Sequence, residues 1–240
     1  MIELANVSKS YHRGAVRAVS NLSLSVKKGE LFCLLGQNGA GKTTTQKLVA
    51  GVIAPDSGSI LIQDIDLVAE PLKAKALIGY IPEEPVFYEN MSGLQFLGFI
   101  ADMYRVSGDA RKRTGELIEM FGVQEYIREQ ISLYPYGVRQ KISVISALLH
   151  APTVMLLDEP LNGLDPQSSR MFQETLRSCV KNGCTVILST YMMHVAEKLG
   201  DRVGILKKGE LVENTTLRGL KRKSGDKNAN LEDIFLEITQ

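Results

Sequence analysis

No apolar run in this chain approaches the roughly 18 residues that a membrane-spanning helix needs, and no secretory leader pattern opens it. The expectation is a soluble or peripheral protein, with any membrane role supplied by a partner. An excess of charge of one sign is missing too: 28 Lys and Arg stand against 27 Asp and Glu, for a net charge of +1. That balance does not point to nucleic acid as the main partner. The only obvious basic cluster, Lys221-Arg222-Lys223, has the composition of a solvated helix end. Cysteine is scarce. Cys33, Cys179 and Cys184 have neither metal-ligand spacing nor an even count, and read as small core or surface residues in a reducing compartment. Internal repeats and low-complexity stretches are also lacking, with Ser224 to Asn230 a plain polar loop.

What is present is one loop with a clear chemical purpose. Gly36-Gln37-Asn38-Gly39-Ala40-Gly41-Lys42-Thr43 fits G-x-x-x-x-G-K-[ST] at every fixed position. It lies between the apolar run Leu31 to Leu35, read as a buried strand, and a helix from Thr44 to Ala50. Glycines let the backbone curl until several N–H groups face one anion, and the following helix turns its positive end on the same phosphates. Lys42 can then reach the β- and γ-phosphates while the Thr43 hydroxyl ligates Mg²⁺. The candidate nucleotide contacts are Gly36, Gln37, Asn38, Gly39, Ala40, Gly41, Lys42, Thr43 and Thr44.

The rest of the chain is an α/β pattern with a helical interruption. Ile2 to Val26 alternates as two or three antiparallel strands, with Asn6 to Ser10 and His12 to Gly14 as breaks. Asp56-Ser57-Gly58 reads as a turn, Ile60 to Gln63 and Ile78 to Ile81 as short strands, and Pro71 to Ala76 as a brief helix. From Met91 to Arg128 the period becomes helical: Leu94, Phe96, Leu97, Phe99, Ile100 and Met103 crowd one helix, and Leu117, Ile118, Met120 and Phe121 mark another. A further helix runs from Tyr136 to His150. Phe87 and Tyr88 are either filling for this lobe or contacts for another protein. Short apolar strands at Thr153 to Leu157, Thr185 to Leu188 and Val203 to Leu206 then alternate with helices at Gln167 to Val180 and Met193 to Leu199. Alternation of that kind predicts a parallel sheet covered on both faces. A strand near Leu211 and two helical segments, the last at Leu231 to Ile238, finish the chain.

Val154 to Leu157 runs directly into Asp158-Glu159-Pro160. An isolated acidic pair is ordinarily a strand cap or a solvated turn. Behind an apolar strand, with a phosphate loop in the same chain, Asp158 is placed to hold a Mg²⁺-bound water. Glu159, read as the next residue of an extended chain, points the opposite way and is placed to orient an attacking water as general base.

The order of phosphate loop, helical lobe, Tyr134-Pro135-Tyr136-Gly137-Val138-Arg139-Gln140, Leu156-Leu157-Asp158-Glu159-Pro160 and Asn162-Gly163-Leu164-Asp165-Pro166 resembles the nucleotide-binding subunit of an ATP-binding cassette (ABC) transporter. It is similar over nearly the full chain, most of all to the branch that powers exporters through a separate short membrane subunit. That resemblance implies a P-loop NTPase (RecA-like) core with a parallel sheet, an N-terminal antiparallel β-subdomain and an inserted α-helical lobe. It divides a single 1–240 domain into a lobe at 86–150 and a C-terminal helical extension at 215–240. It implies ATP and Mg²⁺ as cofactors, with Thr43, Asp158 and Glu83 at the metal and Glu159, Tyr191 and Glu83 in the catalytic set. Tyr11, which alone reads as a half-buried strand tyrosine, matches the aromatic residue that stacks on adenine. Gly137 and Asp165 match segments that meet the nucleotide across a head-to-tail homodimer or heterodimer. An integral membrane permease is the implied partner, and the cytoplasmic face of the membrane the implied location.

Three departures from the family's pattern matter. Glu83 stands where Gln is usual. Pro135 stands where the signature Ser donates to the γ-phosphate, and it has neither hydroxyl nor N–H; Tyr136 beside it replaces a residue that is normally small or polar. Tyr191 stands at the switch His, although His194 lies one turn further on. A tyrosine can donate a hydrogen bond but carries no positive charge at neutral pH. Slow turnover in a homodimer is expected, a partner with an intact signature restoring one site. Two other functions compete with transport: a soluble cassette acting on nucleic acid or ribosomes, disfavoured by the balanced charge, and a binding-only regulatory subunit, disfavoured by Glu159.

Overall fold

The computed structural model describes residues 1–106, 108–223 and 230–239; apart from Asn230, the expected polar loop at Ser224 to Asn230 lies outside them. The N-terminal strands β1 (Ile2–Tyr11) and β2 (Val16–Val26) form an antiparallel hairpin around His12–Gly14. The break expected at Asn6 to Ser10 is instead a bulge inside β1. Asn6 takes φ 50°, and its N–H leaves the ladder to bond the Ser23 hydroxyl at 3.0 Å. Hydroxyls thus replace missing backbone partners, which lets a polar stretch stay in a strand.

Strand β3 (Leu31–Gly36) is buried along its whole length, as a central strand covered on both faces must be. Its side chains alternate between two cores: Phe32 and Leu34 face one, and Leu31, Cys33 and Leu35 the other. Helix α1 (Lys42–Val49) follows, then β4 (Ser57–Ile62), β5 (Ile65–Asp66), α2 (Pro71–Ala76) and β6 (Ile78–Ile81). Ser57 and Gly58, expected in a turn, already belong to β4, because the Asp56 carboxylate before them accepts from the Ser10 N–H and Lys9 and draws the chain into the sheet.

The lobe carries α3 (Gly93–Met103), α4 (Asp109–Phe121) and α5 (Tyr136–Leu148). Beyond it come β7 (Val154–Asp158), α6 (Pro166–Lys181), β8 (Thr185–Ser189), α7 (Met193–Leu199), β9 (Arg202–Lys207), β10 (Glu210–Thr216), α8 (Leu217–Lys223) and α9 (Leu231–Thr239). One sheet has the order β2-β1-β4-β5 and is antiparallel; the other runs β10-β9-β3-β8-β7-β6, parallel except for β10. The helical part at the C-terminus begins at Leu217 rather than 215, since Thr215 and Thr216 still pair with Val203 and Arg202.

Helix α3 does not bury all its apolar residues. Phe96 and Leu97 are inside, while Leu94 and Met103 are exposed, because six large apolar residues in ten exceed the stripe one helix face can hide. Phe87 fills the lobe, edge-on to Phe96 at 5.1 Å and beneath Arg139; Tyr88 stays at the surface against Phe99. Ser92 and Gln95 close a reciprocal capping box at the start of α3. Ser92→Ala is expected to cost about 1 kcal/mol, seen as a fall of roughly 2–4 °C in thermal midpoint.

Candidate nucleotide site

The apolar strand β3 delivers the glycine loop to the C-terminal edge of the parallel sheet. There the backbone makes turns that only glycine tolerates: Gly41 has φ 106°, and a Cβ on it would meet the Ala18 carbonyl at 2.3 Å. Helix α1 starts at Lys42 with no side-chain cap and no acid in its first turn, so its N-terminal N–H groups and dipole stay available to an anion. The Lys42 ammonium donates to Gly36 O at 2.8 Å and Gln37 O at 3.3 Å, holding it over the loop. Gln46, fully buried one turn on, donates to Leu157 O at 3.0 Å and Ile187 O at 3.2 Å. It ties α1 to the ends of β7 and β8, where the acids lie.

Asp158 ends β7 with no exposed surface. The Ser189 hydroxyl donates to its Oδ1, while Oδ2 has no hydrogen-bond partner among the described residues. A buried carboxylate oxygen left open beside a phosphate loop is the donor a hard cation requires. Mg²⁺ fits this set, with Thr43, Asp158 and Glu83 as the residues that would hold it.

Glu159 departs from the extended geometry expected of it. Its φ is 46°, and its N–H donates to Ser189 O at 3.0 Å. The left-handed turn brings the Glu159 carboxyl to the same cavity as Asp158 rather than to the opposite face of a strand. Non-glycine residues in this conformation are uncommon and concentrate at functional sites. Burial pushes the carboxyl up from 4.5 to about 7, against the Thr190 hydroxyl, Lys42 and the Tyr191 N–H, which favour its charged form; Asp158 adds to the rise.

The cavity has a volume of about 880 Å³ and is lined by Gly36 to Gly39, Gly41 to Thr44, Glu83, Asp158, Glu159 and Tyr191. Two further walls were not visible in the sequence: Val16 to Ala18 on β2, and Glu232, Phe235 and Leu236 on α9.

Residues 19–162 match the family model described as ABC transporter. The chain belongs to the ABC transporter family. It is 36% identical over 94% of its length to the linearmycin resistance ATP-binding protein LnrL of Bacillus subtilis, covering 73% of that protein. It is 33% identical over 92% of its length to the doxorubicin resistance ATP-binding protein DrrA of Mycobacterium tuberculosis, covering 67% of that one. A solved structure described as the ATP binding subunit of an ABC transporter superposes with a TM-score of 0.94 at 29% identity, each chain covered completely. A dimeric, post-hydrolysis state of an ATP-binding cassette bound to ADP and Pi superposes with a TM-score of 0.82 at 26% identity, covering 91% of this chain and 100% of that one. The cassette is thus an ABC ATP-binding subunit and an ATPase with the P-loop NTPase fold. Among its described residues no helix is long and apolar enough to cross a membrane.

Four expected contacts are not brought to the cassette's own cavity. Tyr11 is a strand neighbour of Val16, which does line it. Ala40 turns inward and packs in the core behind the loop. Gly137 and Asp165 sit in a separate patch: a Cβ on Gly137 would meet Gly163 O at 2.8 Å, and Tyr136 lies against Gly163. Asp165 caps α6, accepting from the Ser168 N–H and hydroxyl, each at 2.8 Å. Lys141 at 2.8 Å holds its carboxyl well below the usual range. Tyr191 is more than half exposed and donates to Asn162 Oδ1 at 3.3 Å, linking the cavity to that patch. The exposed His194 does not line the cavity; Met193 does.

Proposed function

We propose that this cassette binds MgATP in the cavity between its phosphate loop and the Asp158-Glu159 turn, and hydrolyses it in a head-to-tail dimer to drive export through a separate membrane subunit. The observation that carries the reading is the convergence of Lys42, Thr43, an open Asp158 Oδ2 and a Glu159 carboxyl poised near neutrality on one cavity. Backbone N–H groups of the loop and the ammonium of Lys42 receive the phosphates. Thr43, Asp158 and Glu83 would hold Mg²⁺, which would supply neutralisation of phosphate charge. Deprotonated Glu159, oriented by Thr190 and the Tyr191 N–H, accepts the proton of the attacking water. Tyr191 reaches toward the γ-phosphate, and Tyr11 stacks on the base from beside Val16.

Gly137 and Asp165, absent from this cavity, belong on this reading to the nucleotide of a second subunit. The helical lobe at 86–150 passes closure of the dimer to the permease at the cytoplasmic face of the membrane. Similarity to cassettes named for linearmycin and doxorubicin resistance favours export. With Pro135 in the signature, a homodimer turns over slowly and a heterodimer with an intact partner signature regains one site. A binding-only regulatory role is the second reading, favoured by Pro135 and Tyr191.

Steady-state hydrolysis by the purified chain, with dimer formation followed by light scattering, tests this. The expected result is ATP-induced association with turnover well below roughly one per second, near the lower end of common enzyme rates. Turnover at or above that rate removes the case for an impaired signature; absence of both MgATP binding and association removes the reading.

A further inference from the structure

Helix α9 lies outside residues 19–162, the part of the chain that the family model matches. It nevertheless returns to the nucleotide cavity. Glu232, Phe235 and Leu236, spaced i, i+3 and i+4 on one face, line it together with Gln37, Asn38 and Met193. The adjoining side of the helix is anchored, with Leu231, Ile234 and most of Phe235 buried in the core that also holds Val195 and Leu199 of α7. Its far end braces the phosphate loop. Gln37 Nε2 donates to Thr239 Oγ1 at 3.4 Å, the Thr239 hydroxyl donates to Phe235 O at 2.8 Å, and Lys207 Nζ donates to Ile238 O at 3.3 Å.

Such an anchored element, touching the loop at one end and the cavity along one face, does more than finish the fold. We propose that α9 is a working wall of the nucleotide site, its exposed Leu236 side chain covering bound nucleotide and its Glu232 carboxylate opposing it, so that this helix sets nucleotide affinity. This rests on the reading of the cavity as an ATP site. Leu236 leaves 46% of its surface open in the free chain, area that a ligand in the cavity can cover. The charges that line the cavity are Arg17 and Lys42 against Glu83, Asp158, Glu159 and Glu232. Asp158 and Glu159 have assigned work there, and Glu83 is a candidate metal ligand. Glu232 has neither, so its effect on a polyphosphate is repulsion, moderated by solvent.

The test is titration of the full chain with a fluorescent, non-hydrolysable ATP analogue and Mg²⁺, alongside Glu232→Gln and Leu236→Ala. Glu232→Gln is expected to bind about three- to tenfold more tightly at an ionic strength of about 0.05 M, and the gain to collapse at about 0.5 M as screening shortens. Leu236→Ala is expected to bind roughly three- to tenfold more weakly at both, with an unchanged thermal midpoint because the side chain is not in the core. A merely structural helix would not give opposite shifts of which only one depends on salt. If both variants bind as the parent does, or if Glu232→Gln binds more weakly, the inference is overturned. If the parent chain itself fails to bind the analogue, the reading of the cavity as an ATP site falls, and this inference with it.

Discussion

Glu159→Gln is expected to lower ATP turnover by about 10²- to 10⁴-fold while MgATP binding and ATP-induced association survive. The amide keeps the size of the side chain and can still accept from the Thr190 hydroxyl and the Tyr191 N–H, but it cannot take a proton from water. The raised carboxyl adds a second signature, in stability. Because the folded-state value is about 7 against 4.5, the folded chain keeps a proton that the unfolded chain has already lost between those pH values. Stability is therefore lost as pH rises through that window, by up to about 3 kcal/mol once both states are ionised. Glu159→Gln escapes the loss. Without nucleotide, its thermal midpoint should exceed the parent's by roughly 5–10 °C at pH 8 and match it near pH 4. Turnover that persists in the variant would remove Glu159 as the base; equal midpoints at pH 8 would show that its carboxyl is not held up by burial.

Pro135→Ser should raise turnover of the homodimer about ten- to a hundredfold, the value of one hydrogen bond to a charged phosphate. The local structure is ready for the change. Pro135 is the N-cap of α5 at φ −56° and ψ 151°, makes no side-chain cap, and is exposed. Serine adopts that backbone without strain and is among the preferred N-cap residues, so the variant should also gain about 1 kcal/mol in stability. Its hydroxyl would serve the helix in the free chain and the γ-phosphate in the proposed dimer. The check is kcat at saturating MgATP beside a melting curve. A stabilised chain with unchanged kcat would mean that proline is not what limits the homodimer, and attention would move to Tyr191.

Much of the architecture is legible because burial imposes period. Leu31 to Leu35, Val154 to Leu157 and Thr185 to Leu188 are apolar without alternation, and short strands of that kind belong inside a parallel sheet. The helix at Met193 to Leu199 has the expected bounds. Misreadings occur where side chains substitute for backbone partners. Polar Asn6 to Ser10 stays in β1 through the Ser23 and Ser8 hydroxyls, and Ser57 and Gly58 join β4 behind the anchored Asp56. Linear patterns carry propensity, but they do not show which distant hydroxyl comes within reach.

The chemistry divides along the same line. The phosphate loop and Asp158 are local: strand, glycine turn and helix are consecutive, so the residue order alone specifies where N–H groups, ammonium and carboxylate must go. Glu159 could be proposed as the base from its place after Asp158, but its conformation could not be read, because φ 46° depends on the hydrogen bond its N–H makes to Ser189 on the neighbouring strand. The walls at Val16 to Ala18 and on α9 come from segments far along the chain on either side of the loop. Their arrival is decided by hairpin pairing and by packing of α9 on α7 and α8, neither of which leaves a local pattern. The sequence by itself determined the fold class and pointed to the proposed phosphate-binding chemistry, since both follow from short-range periodicity and the properties of glycine, lysine and carboxylate. Only the tertiary structure decided what encloses the site, because enclosure depends on burial summed over contacts between residues that are remote in the chain.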